Sequence, residues 1–339
     1  MADKVRIGLI GAGRIGKLHG NNLAHEIPEA DLCAVADPYM NETSREWAQT
    51  LGIKEVYTDP AGMINDPEIK AVYICSSTST HADLIIQAAA AGKDIFCEKP
   101  IHYDLKKIHE ALAAVDQAGV KLQIGFVRRF DHNHKQVHDV VASGKLGNPC
   151  VAKITSRDPS HQSMDYIKTS GGMFIDMTIH DFDMARYLSG SDVTEVMAYG
   201  AVLDNPDYAK YNDIDTAVIT MKFANGALGV IDNSRSSYYG YDQRTEVQCQ
   251  KGCIQAANDF ENTTMISSAE GVSLSRPTWF FLERYNNAFI AEDKAFVSAV
   301  LQDTPTPVNG EDGLKPVEIA IAAEKSLREG RPVKIDEVS

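Results

Sequence analysis

Four groups of residues in this 339-residue chain combine types and spacings suited to chemistry. The first is Gly11-Ala12-Gly13-Arg14-Ile15-Gly16, a G-x-G-x-x-G series. Glycines there let a chain turn sharply and let a pyrophosphate reach the backbone, while the free N–H groups of a helix start attract its charge. Gly11, Gly13, Arg14, Ile15 and Gly16 are thus candidate cofactor contacts. Asp37 stands 21 residues after Gly16, where a carboxylate accepts hydrogen bonds from an adenosine ribose. Pro38 and Tyr39 follow it, with no Arg or Lys to hold a 2′-phosphate, which favours NAD over NADP. A plain Gly-rich turn with a capping Asp is the alternative.

The second group, Ser76-Ser77-Thr78-Ser79-Thr80-His81, follows an apolar run. Either Ser76, Thr78 and His81 border a nicotinamide ribose, or Ser79 or Thr80 simply caps the next helix. The third is Cys97-Glu98-Lys99-Pro100. A lysine ammonium held there can hydrogen-bond a substrate hydroxyl and stabilise a developing alkoxide; the alternative is a surface Glu98–Lys99 pair. The fourth is Asp176 with His180, at i and i+4 and so on one face of a helix. A carboxylate beside an imidazole orients its tautomer and supports its charged form, as a proton acceptor requires. Two other readings stay open: a metal site with Asp181 and Asp183, whose side chains point away from the 176/180 face, and a purely structural Asp–His contact. His132, His134 and His138 have no carboxylate or cysteine in register and read as a solvated face. No metal is expected.

These groups need a frame to hold them. Strand patterns at Val5–Ile10, Leu32–Ala36, Ala71–Cys75, Ile95–Cys97 and Lys121–Phe126 alternate with helical ones at Arg14–Ala24, Glu42–Leu51, Thr80–Ala91 and Asp104–Ala118. Such alternation predicts an α/β Rossmann domain with a parallel, doubly wound sheet over residues 1–126. From 127 to 339 the pattern changes. Helices at Asn133–Ser143 and Met173–Leu188 precede longer strands at Val193–Leu203, Thr216–Phe223, Ala227–Asn233, Thr245–Gln250 and Cys253–Ala257, with Asn225-Gly226 as a hairpin turn. Further helices are expected at Phe281–Leu301 and Leu314–Arg328. This predicts an α+β domain with a large open, mainly antiparallel sheet, whose bare face suits subunit contact.

Composition narrows the function classes. Apolar residues make up 44% and the net charge is −14, which excludes disorder and argues against a nucleic-acid or membrane partner. The charged start Met1-Ala2-Asp3-Lys4-Val5-Arg6 lacks a leader pattern, and no apolar run reaches membrane-spanning length. Six scattered cysteines suit thiols in a reducing, cytoplasmic setting.

The order Gly-x-Gly-x-x-Gly, Asp37, Glu98-Lys99-Pro100 and Asp176-x-x-x-His180 resembles the glucose–fructose oxidoreductase/inositol dehydrogenase family over nearly the whole chain. The likeness is strongest to its bacterial inositol 2-dehydrogenases, through Gly125–Asp131, Thr155–Pro159, Asp165–Lys168, Asn233–Arg235 and Tyr239–Arg244. The resemblance implies NAD as cofactor and Lys99, Asp176 and His180 as the catalytic set. It also implies Glu98 near the cofactor, Arg129, Asp158 and Tyr241 near a polyol, and a homotetramer acting in inositol catabolism. The expected reaction is oxidation of myo-inositol to the 2-keto inosose. Alternatives are a scyllo-inositol or aldose-sugar dehydrogenase, or an NAD-binding sensor without catalysis. One departure bears on stereochemistry: His161-Gln162 follows Ser160 where close relatives often carry prolines.

Overall fold

The computed structural model describes residues 4–339; the start Met1-Ala2-Asp3 lies outside the described residues. The chain divides into two compact units. One runs to Val127 and takes in Asn287–Leu314; the other comprises Arg128–Asn286 and Lys315–Ser339.

The first unit alternates β1 (Val5–Ile10), α1 (Arg14–His25), β2 (Ala30–Ala36), α2 (Glu42–Thr50), β3 (Glu55–Tyr57), α3 (Pro60–Ile64), β4 (Ala71–Ile74), α4 (Thr78–Ala90), β5 (Asp94–Glu98), α5 (Leu105–Ala118) and β6 (Leu122–Gly125). The strands order as β3-β2-β1-β4-β5-β6, every neighbouring pair parallel. This is the doubly wound sheet that the apolar runs predicted. Asn41 caps α2 by accepting the Ser44 N–H at 2.9 Å. The strand order reverses between β1 and β4, so the glycine turn and the Ser76 segment leave neighbouring strands at the switch point. β3 and α3 escape the sequence pattern because each is too short to show a period.

The expected single division after residue 126 is corrected by residues 287–314, which return to the first unit. Phe296 and Val297, fully buried, join Leu9, Tyr73 and Phe96 in its core, each contributing roughly 1.5–3 kcal/mol by burial. Periodicity identifies an apolar helix face but not which sheet that face covers.

The second unit contains α6 (His132–Ala142), β7 (Pro149–Arg157), α7 (Met164–Ser170), α8 (Met173–Asp176), α9 (Ile179–Ser189), β8 (Val193–Ala201), β9 (Thr216–Phe223), β10 (Leu228–Ser234), β11 (Asp242–Cys249) and β12 (Gly252–Ala256). There follow the hairpin β13 (Met265–Ser268) and β14 (Gly271–Leu274), then α10 (Phe281–Arg284), α11 (Asn286–Gln302), α12 (Gly310–Glu329) and β15 (Val333–Lys334). Its seven-stranded sheet runs β12-β11-β7-β10-β9-β8-β15. Only β7 and β10 pair in parallel there; the other pairs are antiparallel. β9 alternates buried and exposed residues along its length. Ile219, Met221 and Ile231 face Phe174, Phe182 and Ala320 in the core, whereas Tyr199, Val218 and Leu228 lie exposed.

One strand escaped the sequence pattern, and two expected helices need correction here. β7 sits mid-sheet, yet Lys153, Thr155 and Arg157 break its apolar pattern and hide it. The helix expected over Met173–Leu188 breaks at Met177-Thr178 into α8 and α9; the Thr178 N–H reaches back five residues to the Met173 carbonyl at 2.9 Å. The helix expected over Phe281–Leu301 likewise breaks, at Tyr285.

Candidate active site

The glycine series forms a tight turn between β1 and α1. Gly11 has φ +97°, and a Cβ there would lie 2.6 Å from the Cys75 carbonyl oxygen. A Cβ at Gly16 would lie 1.9 Å from the Gly11 oxygen, so neither position accepts a side chain. Gly13 faces open space. It is also the N-cap of α1, with no side chain bonded over the first-turn amides. Open space above uncapped amides fits a dinucleotide pyrophosphate. Asp37 closes the turn: Oδ2 accepts the Ala12 N–H at 2.6 Å and Oδ1 accepts the Tyr39 N–H at 2.7 Å. The carboxylate is thereby fixed just after β2, with lone pairs left over beyond these two bonds.

At the end of β4, Ser76 Oγ lies 2.7 Å from Thr80 Oγ1, and Thr78 opens α4. His81 is buried; its Nδ1 is 2.8 Å from the Pro100 oxygen and its Nε2 3.0 Å from the Ser76 oxygen. The ring ties the Ser76 segment to the turn carrying Lys99, and burial lowers its pKa. Glu98, at the end of β5, accepts the Lys99 N–H through Oε2 at 3.2 Å.

In the second unit the break between α8 and α9 decides where the acidic residues go. Asp176 ends α8, and its Oδ2 accepts from Arg235 Nη1 at 2.6 Å, while its Oδ1 accepts from the Tyr166 hydroxyl. His180 lies in the first turn of α9, half-buried. Asp176 and His180 therefore stand on two short helices, and the one-face geometry of a continuous helix does not apply. Asp181 accepts from Arg128 Nη1 at 2.6 Å and from Asn233 Nδ2 at 2.9 Å. Asp183 chelates Arg129 through Nε and Nη2, the shortest contact being 2.6 Å. The metal reading of Asp176, Asp181 and Asp183 thus meets three arginines, which neutralise these carboxylates as an ion would.

Arg128 continues inward: its Nη2 donates to Ser156 Oγ at 3.3 Å and to the buried Tyr241 hydroxyl at 3.4 Å. Asp158, following β7, completes the group. Burial raises its pKa to about 6, Arg235 opposes that rise, and Asp176 adds to it. A carboxyl with this environment, a fixed Tyr241 hydroxyl and paired guanidinium groups form a surface that can both accept from and donate to hydroxyls. Sequence reasoning assigned no role to Arg235 or Tyr166.

His132, His134 and His138 behave differently from one another. His132 is largely exposed, and His138 stacks on Tyr187 with centroids 3.9 Å apart. His134 corrects the solvated-face expectation: it is buried, and burial drives its pKa down to about 3. The six cysteines are unpaired. No helix among the described residues is long and apolar enough to cross a membrane.

Residues 5–126 match the oxidoreductase family model described as an NAD-binding Rossmann fold, and residues 134–255 match the GFO/IDH/MocA C-terminal domain. An uncharacterized oxidoreductase of Bacillus subtilis is 48% identical, covering 99% of this chain and 98% of its own. The myo-inositol 2-dehydrogenase of Thermotoga maritima is 47% identical, covering 98% and 99%. Among solved structures, the scyllo-inositol dehydrogenase of Lactobacillus casei with bound NAD(H) and scyllo-inositol superposes with a TM-score of 0.92. It is 31% identical and covers 98% of this chain and 100% of its own.

Proposed function

The chain belongs to the GFO/IDH/MocA family of NAD-binding oxidoreductases, and from that premise we propose that it oxidises myo-inositol at C2 to the 2-keto inosose. The observation that carries this reading is the cluster of Asp158, Arg128 and Tyr241 beside an Asp176 already fixed by Arg235 and Tyr166. A polyol ring offers hydroxyls in every direction, and such a surface discriminates by leaving donors or acceptors unpaired when a hydroxyl points the wrong way.

In this reading His180 takes the proton of the reacting hydroxyl. Asp176, held by Arg235 and Tyr166, supports the charged ring through space. Lys99 holds the same hydroxyl and stabilises the partial alkoxide. Arg129, Asp158 and Tyr241 bind the remaining hydroxyls. When bound, NAD supplies the hydride acceptor, and Gly11, Gly13, Arg14, Ile15, Gly16, Asp37, Ser76, Thr78, His81, Glu98 and Lys99 hold it.

A panel of myo-, scyllo- and chiro-inositol, glucose and xylose, each with NAD and NADP, tests the assignment by absorbance of the reduced cofactor. Turnover is expected to be highest with myo-inositol and NAD, and Asp37→Ser should relax the preference against NADP by removing a charge that repels the 2′-phosphate. Highest turnover with scyllo-inositol would move the assignment to that isomer, supported by the similarity to the Lactobacillus casei enzyme. Turnover of no polyol would reject catalysis in favour of an NAD-binding sensor.

The same reading includes a homotetramer in the cytoplasm. The exposed Tyr199, Val218 and Leu228 on one face of the second unit's sheet support a self-complementary contact. Light scattering at micromolar concentration is expected to give four times the 37.1 kDa chain mass; a single chain mass would reject it.

A further inference from the structure

Behind the Lys99 turn, inside the first unit, lies a buried polar chain that the proposed chemistry does not use. His19 on α1 has no exposed surface. Its Nδ1 is 2.7 Å from Asp293 Oδ1 on α11, and its Nε2 is 3.0 Å from Glu98 Oε1 at the end of β5. Ionised carboxylates only accept hydrogen bonds, so both contacts are satisfied only when the ring carries both protons. Burial opposes that charge, but Asp293 and Glu98 outweigh it and hold the pKa well above the ordinary histidine value.

The chain extends at both ends. Asn22 Nδ2 donates to the second oxygen of Asp293 at 3.0 Å. The second oxygen of Glu98 accepts the Lys99 amide. Gly125 on β6 leaves room for this carboxylate: a Cβ there would stand 3.1 Å from it. The other titratable groups facing the cluster are Glu292 on α11, with a carboxylate oxygen within 4.8 Å of a His19 ring nitrogen and a Glu98 oxygen, Tyr73 on β4, and Cys75 and Cys97. Burial pushes that hydroxyl and both thiols up, so they stay neutral. The rings of Phe96 and Phe289 pack around the imidazole.

We propose that His19 is a positioning residue for Lys99, acting through Glu98: it fixes the carboxylate whose other oxygen holds the Lys99 amide. This rests on the role given to Lys99 above. α1 opens at the glycine turn, so the same imidazolium joins the cofactor helix, α11 and the Lys99 turn through short charge-assisted bonds. A neutral ring donates only once, so loss of its proton releases one carboxylate.

His19→Gln and Glu98→Gln test this. His19→Gln is expected to lower kcat by about 10- to 10²-fold, the scale of a slightly misplaced catalytic group, with KM for polyol and NAD within about threefold of the unmodified protein. Glu98→Gln leaves the ring only Asp293 as a charged partner, so the alkaline fall of kcat should move to lower pH; in His19→Gln the part due to the ring should vanish. A readout without turnover is acylation of Lys99 by an amine reagent, quantified by peptide mass spectrometry against the exposed Lys106. Both variants should raise Lys99 labelling severalfold. Should His19→Gln fail to fold, Asp293→Asn removes one charge at constant shape and should raise labelling likewise.

Unchanged Lys99 labelling in folded variants overturns the proposal. So does a stoichiometric divalent metal in the purified protein, since an ion among His19, Glu98 and Glu292 would replace the shared protons. If labelling rises while Lys99→Ala keeps full turnover, the positioning link stands and the catalytic role of Lys99 falls. The converse removes the link alone.

Discussion

Replacing His180 by alanine is expected to lower turnover by about 10²–10⁴-fold, the span usual for a positioned acid–base group, with the affinity for NAD hardly changed. The glycine turn and Asp37, proposed above to receive the dinucleotide, belong to the other unit and keep their contacts. The pH profile is the sharper check. An imidazole must be neutral to accept a proton, so polyol oxidation weakens as pH falls, and in His180→Ala that dependence of kcat should disappear. Asp158 contributes separately. Burial raises its carboxyl pKa to about 6, so below that pH it takes up a proton and loses an acceptor for a hydroxyl. The effect belongs in KM, and Asp158→Asn should raise KM at neutral pH while preserving the acid fall of kcat. The stability sign runs the other way. The folded protein holds this proton more tightly than the unfolded chain, so the ionised group destabilises the fold above pH 6, and that cost fades as pH drops toward 4. A His180→Ala protein with near-normal turnover and an unchanged profile would shift the proton acceptor elsewhere, with Lys99 the first group to test.

Lys99→Ala should be the second severe variant, losing about 10²–10³-fold in kcat, as when one donor to a developing oxyanion is removed. Lys99→Arg should recover little, because a planar guanidinium cannot occupy the position of a compact ammonium on the same turn. Fluorescence titration with NAD separates this from a cofactor defect: affinity within a few-fold of the unmodified protein is expected, since Gly11, Gly13 and Gly16 are untouched. Retained turnover in Lys99→Ala would remove the alkoxide role from this residue.

Much of the first unit was legible because buried parallel strands are continuous apolar runs and helices between them have caps: Asn41 opens α2 and Gly119 ends α5 at φ +64°. The second unit was harder. β7 alternates Lys153, Thr155 and Arg157 with Ala152, Ile154 and Ser156 and reads as loop until its neighbours β10 and β11 are known. The spacing of Asp176 and His180 suggested one helix, but at the Met177-Thr178 break Thr178 bonds Asn233 at 2.7 Å, a partner 55 residues away. Pairings at that separation leave no periodic trace. A metal alternative for the aspartates of α9 stayed open in the sequence for the same reason: Arg128 and Arg129 are far off in sequence, and only the fold brings them alongside.

The return of residues 287–314 also sets an order on biosynthesis. A nascent chain released through residue 127 has every strand of the parallel sheet, yet it lacks Phe296 against Tyr73 and Asp293 against His19. Until some 170 further residues emerge from the ribosome, that sheet keeps an open apolar flank and an imidazole with half its counter-charge. The earliest segment made is therefore among the last completed. Chaperone demand should peak during translation of the middle of the message, and a stop codon placed between the two segments should yield an aggregation-prone fragment despite its full complement of Rossmann strands.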